Sequence, residues 1–203
     1  MPVRSPAVQL LLIRHALPVR LELVEGPADP ELSEAGVVQA DRLAAWLADE
    51  PIDALYSSPL VRAVQTASPI ARRTELEPTI VDGLAEWDRD SSAYIPIEEL
   101  RAANDEVWQR LSAGRHEDLA ELGIDPAEFR DRVVTTIDGL ASAHKGERIA
   151  VVCHGGVINA YLATVLGLDR MLFFSPDYTS ISRVLIGAGV RSIGTLNETP
   201  HLR

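Results

Sequence analysis

The sequence predicts a three-layer α/β/α sandwich with a mostly parallel central sheet, a C-terminal hairpin and a small helical cap insertion. Short apolar runs such as 9–13 and 148–153 read as buried strands, and stretches of helical spacing alternate with them along most of the chain. At 203 residues the chain is long enough to bury one sizeable core and short for two independent domains. Residues 1–203 are therefore read as one domain, with 88–125 as its cap insertion.

Gln9 to Ile13 form the first strand, which runs into Arg14-His15. Arg20 to Pro30 is a polar loop. Ser33 is placed to cap a helix over Glu34 to Ala48, with Val37 or Val38, Leu43, Trp46 and Leu47 as its packed face. Ile52 to Tyr56 gives a second strand, and Ser57-Ser58-Pro59 predicts a capping serine with proline at the first position of a helix reaching Arg73. Thr79 to Val81 is a third strand, Asp82 to Ser92 a carboxylate-bearing loop, and Ile95 to Ser112 a helix. Asp125-Pro126-Ala127-Glu128 is a capping box opening a helix that ends near Gly146. A strand over Arg148 to Cys153, a helix from Gly155-Gly156 to Leu166, and a hairpin turning at Gly187-Ala188-Gly189 complete the chain.

The formal net charge of -11 excludes a general nucleic-acid or acidic-membrane surface, since both reward clustered Lys and Arg. A small anionic substrate is still allowed, because local cations decide such a site. Cys153 is the only cysteine, so no disulfide framework or thiolate metal site is expected. The apolar run before Arg14 is too short for a signal-peptide core, and no stretch has the roughly 20 apolar residues of a membrane span. The expected compartment is the cytoplasm.

Three strand-to-helix junctions carry cationic or imidazole groups. Arg14 and His15 follow the first strand, Arg62 falls in the first turn of the second helix, and His154 sits between Cys153 and the Gly155-Gly156 helix start. Parallel packing gathers them on one sheet edge, where helix N-termini already favour an anion. Two arginines, two histidines and two helix N-termini describe a phosphoryl site. Such chemistry needs a proton donor, and Glu86 beside Trp87 is the preferred candidate, with Asp82 and Asp88 left open. His15, His154 and Glu86 also suit a zinc site, but two neighbouring guanidinium groups would repel the cation. His116, His144 and His201 are expected in solvent, and Trp46 and Trp108 in packing.

These motifs, in this order, resemble the histidine phosphatase superfamily, also called the phosphoglycerate mutase-like family. Leu12-Ile13-Arg14-His15-Ala16 is similar to its Arg-His-Gly signature, and Leu32-Ser33-Glu34-Ala35-Gly36 with Gln39-Ala40 to the segment that follows. Tyr56-Ser57-Ser58-Pro59-Leu60-Val61-Arg62 resembles its second arginine motif, Val152-Cys153-His154-Gly155-Gly156 its second histidine motif, and 196–202 a common tail. The resemblance implies that His15 is a nucleophile that becomes phosphorylated and that Arg14, Arg62 and His154 bind the phosphoryl oxygens, with Gly155 beside them. Glu86 would protonate the leaving group and later activate water. No metal or cofactor is implied. Ala16 departs from the signature glycine, which matters if that backbone needs a positive φ.

The expected function is metal-independent hydrolysis of a small phosphorylated metabolite. A phosphoglycerate-type mutase is the alternative, but Leu17-Pro18-Val19-Arg20 departs from the mutase continuation, and 88–125 holds more carboxylates than arginines. An inactive binding or regulatory member would be expected to lack a core residue, and all five are present. Tyr94, Arg89, Arg101 and Arg115 are candidate substrate contacts in the cap, and a homo-oligomer is left open.

Overall fold

The computed structural model describes residues 7–113, 120 and 123–203. A six-stranded sheet has the order β4-β3-β6-β1-β7-β8. Its strands are β1 (Val8–Arg14), β3 (Ala54–Ser57), β4 (Thr79–Ile80), β6 (Arg148–Cys153), β7 (Ile181–Gly187) and β8 (Val190–Glu198). β1, β6, β3 and β4 run parallel, whereas β7 returns antiparallel to β1 and carries β8 at the edge.

Alternation along β1 separates two cores. Leu10 and Leu12 pack with Val133, Ile137, Val157 and Tyr161 on one side of the sheet. These come from α5 (Pro126–Ala143) and α6 (Gly155–Leu166). Leu11 and Ile13 pack on the other side with Leu43, Leu47, Ala63 and Ile70, from or next to α1 (Glu34–Trp46) and α2 (Val61–Thr74). Burial on both faces explains why Leu10–Ile13 of β1 and Ile149–Cys153 of β6 are apolar without a break.

Several expectations are corrected. The buried face of α1 is Gly36, Ala40, Leu43 and Ala44, while Val37, Val38 and Trp46 are exposed. Gly36 sets this face: a Cβ there would lie 2.0 Å from the Leu17 carbonyl oxygen, so the helix seats its smallest residue against the loop. Ser33 does cap the helix, accepting from the Gly36 amide at 3.1 Å. Helix α2 begins at Val61 rather than Pro59, because the cap comes from afar: both Asp29 carboxylate oxygens lie 3.0 Å from the Val61 amide.

The loop 20–30 contains β2 (Leu21–Glu22), which pairs with β5 (Ala93–Tyr94) in a second small sheet. The single helix expected over 95–112 is two, α3 (Ile97–Ala102) and α4 (Glu106–Ala113), with Asn104 between them in the left-handed region at φ 50°. His144 and His201 are not solvated. The His144 Nε2 lies 2.6 Å from the Tyr56 hydroxyl, and buried His201 bonds Thr179 at 2.9 Å. Arg115 and His116 fall outside the described residues. The Ala188-Gly189 turn has φ of 51° and 76°, the two-residue geometry that suits a twisted hairpin. No described helix is long and apolar enough to cross a membrane.

Candidate active site

Register brings the three junctions together. Arg14 aligns with Cys153 and Ser57 with Val152, so β1, β6 and β3 end at one level. Arg14, His15, Arg62, Glu86 and Gly155 line one cavity there of about 480 Å³. His154 lies behind His15, with ring centroids 5.1 Å apart. All of the side chains named are buried.

The bond between His15 Nδ1 and the Ala16 carbonyl oxygen is 2.8 Å long. A carbonyl only accepts, so Nδ1 carries the proton and Nε2 keeps its lone pair. Burial, then Arg62 and Arg14, hold the His15 pKa well below its usual value, which keeps the ring neutral near pH 7. Ala16 needs no glycine here. It is absent from the positive-φ residues, and its amide donates to Thr66 Oγ1 at 2.9 Å.

The His154 ring has Nε2 2.7 Å from Ser58 Oγ. When Ser58 donates, Nδ1 is left as the N–H donor. Burial, then Arg62, depresses the pKa of this ring too.

Each arginine is half committed. Arg62 Nη2 donates to Asp88 at 2.7 Å, with Asp29 at 3.7 Å from Nη1. Arg14 Nη1 donates to the Pro176 carbonyl at 2.6 Å, with Glu98 at 3.6 Å. Tyr178 lies under the Arg14 guanidinium at 3.7 Å and Tyr94 under that of Arg62 at 4.7 Å. Arg14 Nε, Arg62 Nε and His154 Nδ1 are buried without a protein partner. Unpaired buried donors are costly, and three in one cluster describe a receptor for anionic oxygens.

The free amides expected at the two helix starts are partly used. Asp29 takes the Val61 amide, and Glu86 Oε2 accepts from the Gly156 amide at 2.7 Å. Glu86 also accepts from the Trp87 amide at 3.1 Å. Burial and then the nearby Asp88 raise the Glu86 pKa to about 7, against the pull of those two bonds and of Arg62. Arg132 supports this loop, donating to the Gly83 and Ala85 carbonyls at 2.8 and 3.0 Å. Gly156 is required for the same contact, since a Cβ would stand 1.8 Å from Trp87 and 2.4 Å from Glu86 Oε1. Of the alternatives for proton donor, Asp88 is bound to Arg62, and Asp82 pairs with Arg89 in solvent. Arg89 is thereby turned from the cavity, whereas Tyr94 lines it and Arg101 lies 5.7 Å from the Trp108 ring. Among the described residues, no group of three His, Cys, Asp or Glu could hold a metal.

Sequence reasoning missed Asp29, Tyr178 and Ser58. Asp29 and Tyr178 reach the cluster from distant loops, and no local pattern marks them. Ser58 belongs to the Ser57-Ser58-Pro59 segment whose pattern predicts only a capping serine, and its bond to His154 depends on the β3–β6 register.

A mostly parallel sheet with an arginine-histidine cluster at its carboxyl edge is the arrangement of a phosphoryl-binding protein, and the chain belongs to the histidine phosphatase superfamily (branch 1), whose family model matches residues 10–199. Phosphoserine phosphatase 1 of Hydrogenobacter thermophilus is 32% identical over 201 residues, covering 96% of this chain and 94% of that protein. Phosphoglycerate mutase-like protein 4 of Arabidopsis thaliana is 35% identical over 140 residues, 68% of this chain and 61% of that one. Among solved structures, an Entamoeba histolytica phosphoserine phosphatase in complex with 3-phosphoglyceric acid has the same fold, with a TM-score of 0.77 and 24% identity over 97% of this chain and 100% of that one.

Proposed function

We propose that the protein hydrolyses a small phosphomonoester by way of a phosphohistidine on His15. The observation that carries this is the trio of unpartnered buried donors on Arg14, Arg62 and His154 around an imidazole whose Nε2 is free to attack. His15 Nε2 bonds to phosphorus as the ester P–O bond breaks, and Glu86 gives its proton to the leaving oxygen. Water then attacks the phosphorus, the P–N bond breaks, and the Glu86 carboxylate takes the proton from that water. A Glu86 pKa of about 7 suits both halves of the cycle, because neither form is scarce at neutral pH. Arg14, Arg62 and His154 bind the phosphoryl oxygens and stabilise their charge, with Gly155 allowing the phosphate to approach.

Residues 88–125 act as the cap, and their described part supports this by supplying Tyr94, Leu100, Val107, Trp108 and Leu111 to the cavity. That wall also favours hydrolysis over mutase chemistry, since a doubly phosphorylated intermediate needs a second set of cations, and among the described residues there the cation is Arg170, which two backbone carbonyls already hold. The test is release of inorganic phosphate from phenyl phosphate in the presence of a chelator. Wild type should turn over and His15→Ala should lose at least about 10⁴-fold. No release by wild type, or full activity in the variant, overturns the mechanism.

A further inference from the structure

We infer that the leaving group this site accepts is apolar and larger than a serine side chain, which rests on the phosphatase reading above. The cavity has two chemically distinct ends. The phosphoryl end is the arginine-histidine cluster. The other is walled by Leu100, Val107, Trp108 and Leu111 from the two cap helices and by Phe173 and Phe174 from the loop after α6.

That wall is held in place before any ligand arrives. Asn159 on α6 accepts from the Phe173 and Phe174 amides at 3.0 and 3.2 Å and donates to the Phe174 carbonyl at 3.0 Å. The Phe173 and Phe174 rings pack at 4.8 Å. Arg170 donates to the Leu172 carbonyl at 2.6 Å and to the Ser112 carbonyl, which ties this loop to the end of the second cap helix.

A zwitterionic leaving group needs a carboxylate for its ammonium and a cation for its carboxylate, both desolvated at such a wall. Beyond the phosphoryl cluster and the proton donor Glu86, the charged side chains among the described lining residues are Asp88 and Arg170. Asp88 is engaged by Arg62, and Arg170 by two backbone carbonyls. An alkyl or aryl group meets no such demand. A volume of about 480 Å³ is enough for a phosphoryl group and a ring or chain of six or more carbons.

The test is kcat/KM for ethyl, butyl and hexyl phosphate beside O-phosphoserine, all esters of primary alcohols whose leaving oxygen Glu86 must protonate, so that chemistry does not mask binding. Each added methylene should raise kcat/KM by up to about fourfold, the value of a buried CH₂, and hexyl phosphate should exceed O-phosphoserine by at least about tenfold. Trp108→Ala and Phe174→Ala, on different elements, should each lower the hexyl-to-ethyl ratio. A flat series, a preference for O-phosphoserine, or a ratio unchanged in both variants would overturn the inference. If phenyl phosphate is hydrolysed but the series is flat, only the leaving-group assignment fails. If no ester is hydrolysed, the phosphatase reading itself fails.

Discussion

Two arginine clusters in this molecule are built from the same side chains and end in opposite states. Around Glu50, every guanidinium edge is used. Arg183 donates from Nη1 and Nη2 to Glu50 at 2.5 and 2.8 Å and from Nε to Glu198, and Arg148 donates from Nε to Gln9 at 2.8 Å. The bonds from Arg183, and then the charges of Arg183 and Arg148, hold the Glu50 carboxyl below its usual pKa. At the carboxyl edge of the sheet, Arg14 and Arg62 use only their outer nitrogens, and both Nε groups are buried without a partner. One cluster is finished by the fold. The other is left for an anion to finish, and its protein carboxylates orient the guanidinium groups without saturating them.

The sharpest way to break this contrast is to remove one arginine from each cluster. Arg62→Ala should lower kcat/KM by about 10²–10³-fold, the usual loss for one stabilising donor. Arg183→Ala should leave turnover within about twofold and lower the midpoint of thermal unfolding by about 2–4 °C, equivalent to about 1 kcal/mol for a partly exposed network. Equal effects of the two changes on steady-state rates would mean that the clusters do not differ in kind.

Proton supply gives a finer test. Because Glu86 must be protonated in the first step, kcat/KM for an alkyl phosphate should fall as pH rises through about 7, the value to which burial raises this carboxyl. Glu86→Gln should remove that limb and lower the rate at pH 6 by about 10²–10⁴-fold. The loss should be far smaller for 4-nitrophenyl phosphate, whose leaving group needs no proton. An unchanged limb in the variant would assign it to another group.

Much of the fold was legible because it depends on local pattern. The unbroken apolar runs of β1 and β6, the Ser33 and Asp125 caps and the Ala188-Gly189 turn each carry their own signal. The ordered motifs carry Arg14, His15, Arg62 and His154, and Glu86 stands beside Trp87 in the sequence; the structure brings all five together. What stayed hidden depends on contacts between distant segments. The Asp29 cap on α2 and the Tyr178 platform under Arg14 exist only after folding. The outward turn of Val37, Val38 and Trp46 runs against their apolar character, because the lack of a Cβ at Gly36 fixes the buried side of the helix. The positive φ that a signature glycine suggests at Ala16 is not imposed by the loop.

The central claim is that the neutral Nε2 of His15 takes the phosphoryl group. It is tested most directly by mixing enzyme with ³²P-labelled phenyl phosphate, quenching during turnover without acid, and mapping the label. The expected result is up to one acid-labile phosphoryl group per chain, on His15, and none in His15→Ala. Label on another residue, or an unlabelled His15 in enzyme that is turning over, would contradict it.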